Sequence, residues 1–136
     1  MDRKIRKRLV ERGLASHMND TKWRELCAAI GELPFSPAYQ RKTLGADEPY
    51  PLTIEASPGY LGDWGRTCEA VLDVHIEWIK VAPRHTRQMG GLMAPVIEDC
   101  SGQLRALLQR LRVPFVESEG FFTIYGHSAA MDFDTL

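Results

Sequence analysis

The chain contains no uninterrupted apolar run approaching the ~20 residues that a membrane-spanning helix requires. Its first residues also lack the continuous apolar segment of ~7 or more residues that marks a secretory signal. Cysteine is scarce: the 3 among 136 residues, Cys27, Cys68 and Cys100, are far apart, odd in number and in no CxxC pair. A disulfide framework is thereby excluded, and the thiols fit a reducing, cytoplasmic compartment. There is no GxSxG elbow and no HExxH zinc spacing, and no glycine-rich loop is followed by a lysine and a helix. Internal repeats and low-complexity blocks are absent as well. What remains is an ordinary globular composition, 44% hydrophobic and 26% charged, of a length that suits one domain.

The net charge of −1 conceals an uneven distribution. Residues 1–17 hold six basic side chains (Arg3, Lys4, Arg6, Lys7, Arg8 and Arg12) against Asp2 and Glu11, which gives +4. Residues 18–136 hold the other 11 basic residues against 16 acidic ones, which gives −5. The expectation is a basic, mobile N-terminal extension at 1–17 and a single folded domain at 18–136. Met18 also stands as a plausible second start, and basic 5–8-mers attract phosphates or anionic membranes, so three readings of the extension stay open.

Within the body, Asn19, Asp20 or Thr21 can cap a helix whose Trp23, Leu26, Cys27 and Ile30 recur at i, i+3, i+4 and i+7. Gly31 and Pro34 stop it. Residues 34–49 read as a connection and Tyr50 to Ala56 as a strand. The turn residues from Ser57 to Gly65 suggest a hairpin loop that presents Asp63 and Trp64. The strongest strand runs from Val71 to Val81. Its alternation predicts Leu72, Val74, Ile76 and Trp78 facing inward and Asp73, His75 and Glu77 on a wet face. Residues 84–93 read as a loop around Gly90-Gly91. A second helix follows, capped by Asp99 or Ser101, with Leu104, Leu107, Leu108 and Leu111 as its core stripe. A short strand around Val113–Val116, a turn at Glu117–Gly120 and a strand at Phe121–Tyr125 complete the domain, and the tail after His127 reads as frayed. The fold class is therefore α+β: an antiparallel sheet of about four to five strands with two main helices packed on one face.

Asp73, His75 and Glu77 lie about 7 Å apart along one strand face. His-x-Glu without a second arm does not make a metal site, so no metal and no cofactor is expected. His85 stands between Arg84 and Arg87, whose charge repels cations, and Cys27 belongs to the apolar face of the first helix. Phe121, Phe122 and Tyr125 lack the nearby positive charge that stacked bases need, which confines any nucleic-acid contact to the basic extension. Protein binding suits an acidic body without a visible catalytic set better, since carboxylates complement a basic cleft.

Ile76-Glu77-Trp78-Ile79 ahead of a leucine-rich helix is one of three stretches that carry a resemblance. The others are Leu111-Arg112-Val113-Pro114-Phe115 with Glu119-Gly120 and Ile124-Tyr125-Gly126-His127, and Asn19-Asp20-Thr21-Lys22-Trp23. Over roughly residues 19–127 the chain resembles a small, functionally obscure family of bacterial cytosolic domains. These are similar to immunity proteins encoded beside polymorphic or contact-dependent toxins. The resemblance implies a non-enzymatic protein that occludes a cognate toxin, and it carries no catalytic residue with it. The expected partner-binding residues are Asp63, Trp64, Asp73, His75, Glu77, Glu117 and Glu119. A regulatory or adaptor domain with another protein partner is the alternative, and a small hydrolase using His75 or His127 with a carboxylate is a more distant one.

Overall fold

The computed structural model describes residues 3–54, 64, 75–87 and 89–134. In chain order these form α1 (Arg3–Arg12), β1 (Ala15–Ser16), α2 (Asp20–Gly31), β2 (Tyr39–Thr43), β3 (Ile76–Val81), β4 (Arg84–Arg87), β5 (Val96–Asp99), α3 (Ser101–Leu111), β6 (Phe115–Ser118), β7 (Phe121–Tyr125) and β8 (His127–Ser128). The fold is α+β. Its main sheet is antiparallel with strand order β2-β3-β7-β6, and the pairs β1-β8 and β4-β5 form two small sheets.

The helix stripes fold as their spacing predicts. Asn19 Oδ1 accepts the Lys22 backbone N–H at 2.8 Å and so caps α2, whose Trp23, Leu26, Cys27 and Ile30 are all buried. Leu104, Leu107 and Leu108 of α3 join them, with Leu111 packed alongside. The sheet completes this core with Ile76, Ile79, Val81, Phe115, Phe122 and Ile124. At the start of α3, Asp99 provides the side-chain acceptor, taking the Ser101 backbone N–H at 2.9 Å. The turn expected at Glu117–Gly120 is a two-residue connection, with Glu119 at φ 54° and Gly120 at φ 82°. Paired positive φ values give the twist that matches flanking strands.

Three expectations need correction. The connection at 34–49 contains β2, whose Tyr-Gln-Arg-Lys-Thr sequence hides its pairing because an edge strand needs few apolar side chains. Of the strand expected over Tyr50–Ala56, residues 55 and 56 lie outside the described residues, and in 50–54 only Tyr50 pairs, as a single bridge to Arg41. Pro51 has no N–H to continue a ladder. Residues 84–87, expected in a loop, are strand β4 paired with β5.

A fourth correction concerns the phase of β3. Ile76 and Ile79 are three residues apart and both fully buried, which uninterrupted alternation forbids. The register explains it: Thr43 pairs with Ile76 and Lys42 with Trp78, so Glu77 is an extra residue, a β-bulge. Beyond the bulge Ile79 and Val81 face the helices, and Trp78 turns to the opposite face beside Lys42 and Tyr125.

The stretch expected as a detached extension is folded against the body. Leu9 and Leu14 of this segment are half-buried, Met18 belongs to the core, and β1 pairs with β8 through Ala15–Ser128 and Ser16–His127. The same pairing orders the segment expected to fray after His127. Phe133 packs against the rings of His17 and Tyr125, and the Asp134 N–H donates to the Phe115 carbonyl at 2.8 Å.

Gly126 joins these parts at closest approach. A Cβ there would run into the Ile76 carbonyl oxygen and lie 3.0 Å from Trp23 Cζ2. We therefore expect Gly126→Ala to lower stability by about 3 kcal/mol in chemical denaturation, since backbone cannot give way as a flexible side chain does. Gly102→Ala is the control: it meets nothing within 4 Å on α3, and should be neutral or stabilising by up to about 1 kcal/mol.

Candidate functional site

The structure does not gather the expected contact residues into one face. Asp63 and Asp73 lie outside the described residues. Trp64 is no surface anchor: it is 3% exposed, stacks at 4.7 Å on Tyr39, and its indole N–H donates to the Pro37 carbonyl at 2.7 Å. His75 is half-buried just before β3, where its carbonyl accepts the Leu44 N–H at 2.8 Å.

Glu77 belongs to the interior rather than to a wet face. It is buried, with its carboxylate bridged by the Arg12 guanidinium (2.7 and 3.1 Å) and the Lys42 ammonium (2.9 Å). Burial alone raises its pKa, but the hydrogen bonds and charges of Arg12 and Lys42 together outweigh it and hold the carboxyl below its ordinary value. The Arg12 bond, together with one from Arg8 to the Leu44 carbonyl at 3.0 Å, ties α1 to the sheet.

Glu117 is likewise committed, to a bidentate pair with Arg105 of α3. It pairs in register with Phe122, which pairs in turn with Val81, so it stands at the opposite end of β3 from Glu77, roughly 13 Å along the strand. Of the expected set, Glu119 keeps an exposed side chain. Its turn abuts β4, because a Cβ on Gly120 would lie 3.1 Å from Arg84 Nη2.

That neighbour is the most unusual surface feature. β4 and β5 form a two-stranded arm whose connection carries Met89, Leu92 and Met93, exposed by 40%, 106% and 66%. Val96 and Ile97 follow at 39% and 48%. Successive strand residues point to opposite faces, so exposure of both means that the arm is wetted on both sides at its outer end. Gly90 (φ 77°) and Gly91 (φ 59°) turn the chain at its tip. At the foot, Arg84 pairs with Asp99 at 3.3 Å and the Cys100 N–H donates to the Pro83 carbonyl at 2.8 Å, while Arg87, opposite Val96 at the tip end of the ladder, reaches Glu98 at 2.9 Å. Sequence reasoning missed the arm because β4 (Arg-His-Thr-Arg) has no apolar residue and β5 sets two side by side. The run from 88 to 97 without a charged residue was the available signal.

Two concavities adjoin the foot. A cleft of about 180 Å³ is lined by Phe35, His85, Glu98 and Cys100, together with Pro34 and Gln103. The His85 ring packs 6.3 Å from Phe35, and its buried Nδ1 has no hydrogen-bond partner among the described residues. Burial pushes the Cys100 thiol up, and the carboxylates of Glu98 and Asp99 act in the same direction, which keeps the sulfur protonated and a poor nucleophile at neutral pH. The second is a groove of about 430 Å³ between α2 and α3, lined by Ala29, Leu33, Ala106 and Leu107 and again by Pro34 and Gln103. Among the described residues no group of three or more His, Cys, Asp or Glu side chains is placed to hold a metal ion. No described helix is long and apolar enough to cross a membrane.

Fold and surface together define an α+β domain with a projecting apolar hairpin. The chain belongs to DUF6678, a family of unknown function, whose model matches residues 5–131 and so takes in most of α1 as well as the arm. No curated protein and no solved structure matches it.

The Glu77 bridge yields a pH-dependent expectation. A carboxyl held below its ordinary value of 4.5 contributes stability that is present above that value and is lost as the pH falls through its folded-state pKa. Glu77→Gln should therefore cost about 2 kcal/mol at pH 7, where Lys42 and Arg12 lose their counter-charge. In denaturant titrations that difference should shrink below pH 4.5. A difference that stays constant down to pH 3 would show that the bridge carries no charge-dependent stability.

Proposed function

We propose that this is a protein-binding domain that grips its partner with the β4–β5 arm, and that it acts as an immunity protein occluding a toxin. One observation carries the first part: five large apolar side chains between residues 89 and 97 are held in water on an arm wetted on both faces. An isolated two-stranded hairpin is marginal in water, and contiguous exposed apolar surface marks interaction sites. The toxin as partner rests on the family resemblance drawn from the sequence. The means of occlusion differs from carboxylate mimicry. Glu77 and Glu117 are already paired within the molecule, whereas the arm offers uncharged Leu92 and Met93 as anchors, with Glu119 at the rim.

The test is affinity capture from the native host with the full chain and with a Leu92→Glu/Met93→Glu variant, read by mass spectrometry and followed by expression of any partner alone. A partner held by the wild type and lost from the variant, and arresting growth unless this protein is co-expressed, is the expected result. A loss of affinity of at least about 100-fold corresponds to the removal of two buried anchors. Equal retention by the variant would remove the arm from the interface. A partner that leaves growth unaffected would replace the toxin with an adaptor role.

A further inference from the structure

The main sheet has a second face, turned away from α2 and α3. Its central strands are β3 and β7. The register sets Trp78 and Lys80 of β3 on that face, opposite Tyr125 and Thr123 of β7, and Phe121 follows two residues from Thr123 on the same side. All five are half-buried, unlike Ile79, Val81, Phe122 and Ile124 between them, which face the core. Over the edge strand the face is closed, because the Gln40 amide donates to the Pro51 and Leu52 carbonyls at 2.9 Å. The middle of the sheet thus carries a row of rings: Phe121 at one end, the Trp78–Tyr125 pair roughly 13 Å along the strands, and Phe133 against Tyr125.

Positive charge reaches this row only through the fold. The stretch from Val113 to Gly126 contains no lysine or arginine. The Lys80 ammonium nevertheless stands 4.6 Å from the centroid of the Phe121 ring, and it makes no ion pair among the described residues. At the other end Glu77 lies between two bases, Lys42 and Arg12, so that group keeps a charge of +1. Arg12 leads into α1, where Arg3, Lys4, Arg6 and Lys7 are exposed and the one acid, Glu11, pairs with Lys7. β3 and β7 hold no other carboxylate, and Glu117 of β6 points to the helix side, where Arg105 neutralises it. Rings with cations beside them and no free acid on the strands complement a chain of bases and phosphates. An acidic peptide would use the lysines and leave the rings idle, and a duplex keeps its bases out of their reach.

We propose that this outer face binds single-stranded nucleic acid. Phe121 and the Trp78–Tyr125 pair stack bases, while Lys80 and the exposed basic residues of α1 meet the phosphates. The site uses no residue of the β4–β5 arm, so it stands or falls independently of the arm's partner.

Fluorescence anisotropy of the full chain with labelled oligouridylate and oligothymidylate of about 12 nucleotides, at about 50 mM salt, tests it. The expected result is binding to at least one of the two, about tenfold or more tighter than to a duplex of the same length. Phe121→Ala should weaken that binding about tenfold, as the loss of one stacked base does. Lys80→Glu should weaken it at least as much, and unchanged thermal melting of both variants checks their fold. Emission supplies a second readout, since of the three tryptophans Trp23 and Trp64 are buried and Trp78 is half-buried. Unlabelled strand should quench the wild type, whereas Trp78→Phe should keep the binding and lose the quenching. Failure to bind either strand, or equal affinity for the duplex, would overturn the proposal. Binding that both Phe121→Ala and Lys80→Glu leave unchanged, with no quenching, would overturn it too, by assigning the contact to the charges of α1 alone.

Discussion

A carboxylate cannot enter an apolar interior without its counter-charge, and the Glu77 end of the sheet is arranged around that constraint. The bulge in β3 supplies the extra residue and shifts the strand's phase, so that Ile76 and Ile79 both reach the core. Lys42 from the edge strand and Arg12 from α1 then close on the carboxylate from two directions. Because no side chain of α1 is fully buried, apolar packing alone does not hold that helix. Its position depends on charge-assisted hydrogen bonds from Arg12 and Arg8, which are stronger than neutral ones. The bulge, the helix and the edge strand thus meet at one desolvated charge.

The parts of the fold legible in the sequence are those set by local periodicity. Trp23, Leu26, Cys27 and Ile30, and later Leu104, Leu107 and Leu108, declare their buried faces because helical spacing needs no knowledge of the neighbour. The Glu119-Gly120 turn is legible for the same reason. What stayed hidden depends on distant partners. An edge strand such as β2 has its pattern set by β3, and a bulge changes phase without leaving a residue signature. The candidate site suffered most, since each expected contact was judged by residue type alone. Trp64 reads as an exposed anchor until Pro37 and Tyr39 are seen around it, and Glu77 reads as solvated until Arg12 is brought 65 residues back to meet it.

The two surfaces of interest divide the chemistry between them. The α1 side is held by charge, with Glu77, Arg12 and Lys42 committed to one another. The connection at the tip of the arm carries no charge, and two ion pairs cross the ladder behind it, Arg84 with Asp99 at the foot and Arg87 with Glu98 nearer the tip. Those cross-strand pairs fix the base of a hairpin that has little else to fix it, and they leave the tip free to adapt.

The pairing of β1 with β8 brings together distant segments: the His17 ring meets the Ser128 hydroxyl across 111 positions of sequence. During synthesis, the N-terminal segment therefore emerges long before the strand that will receive it. Until that stretch leaves the ribosome, Trp23 also lacks the close approach of Gly126. The closing of β1 on β8 therefore waits until residue 128 has emerged, and until then that side of the core stays open to whatever chaperone or ribosomal surface lies nearby.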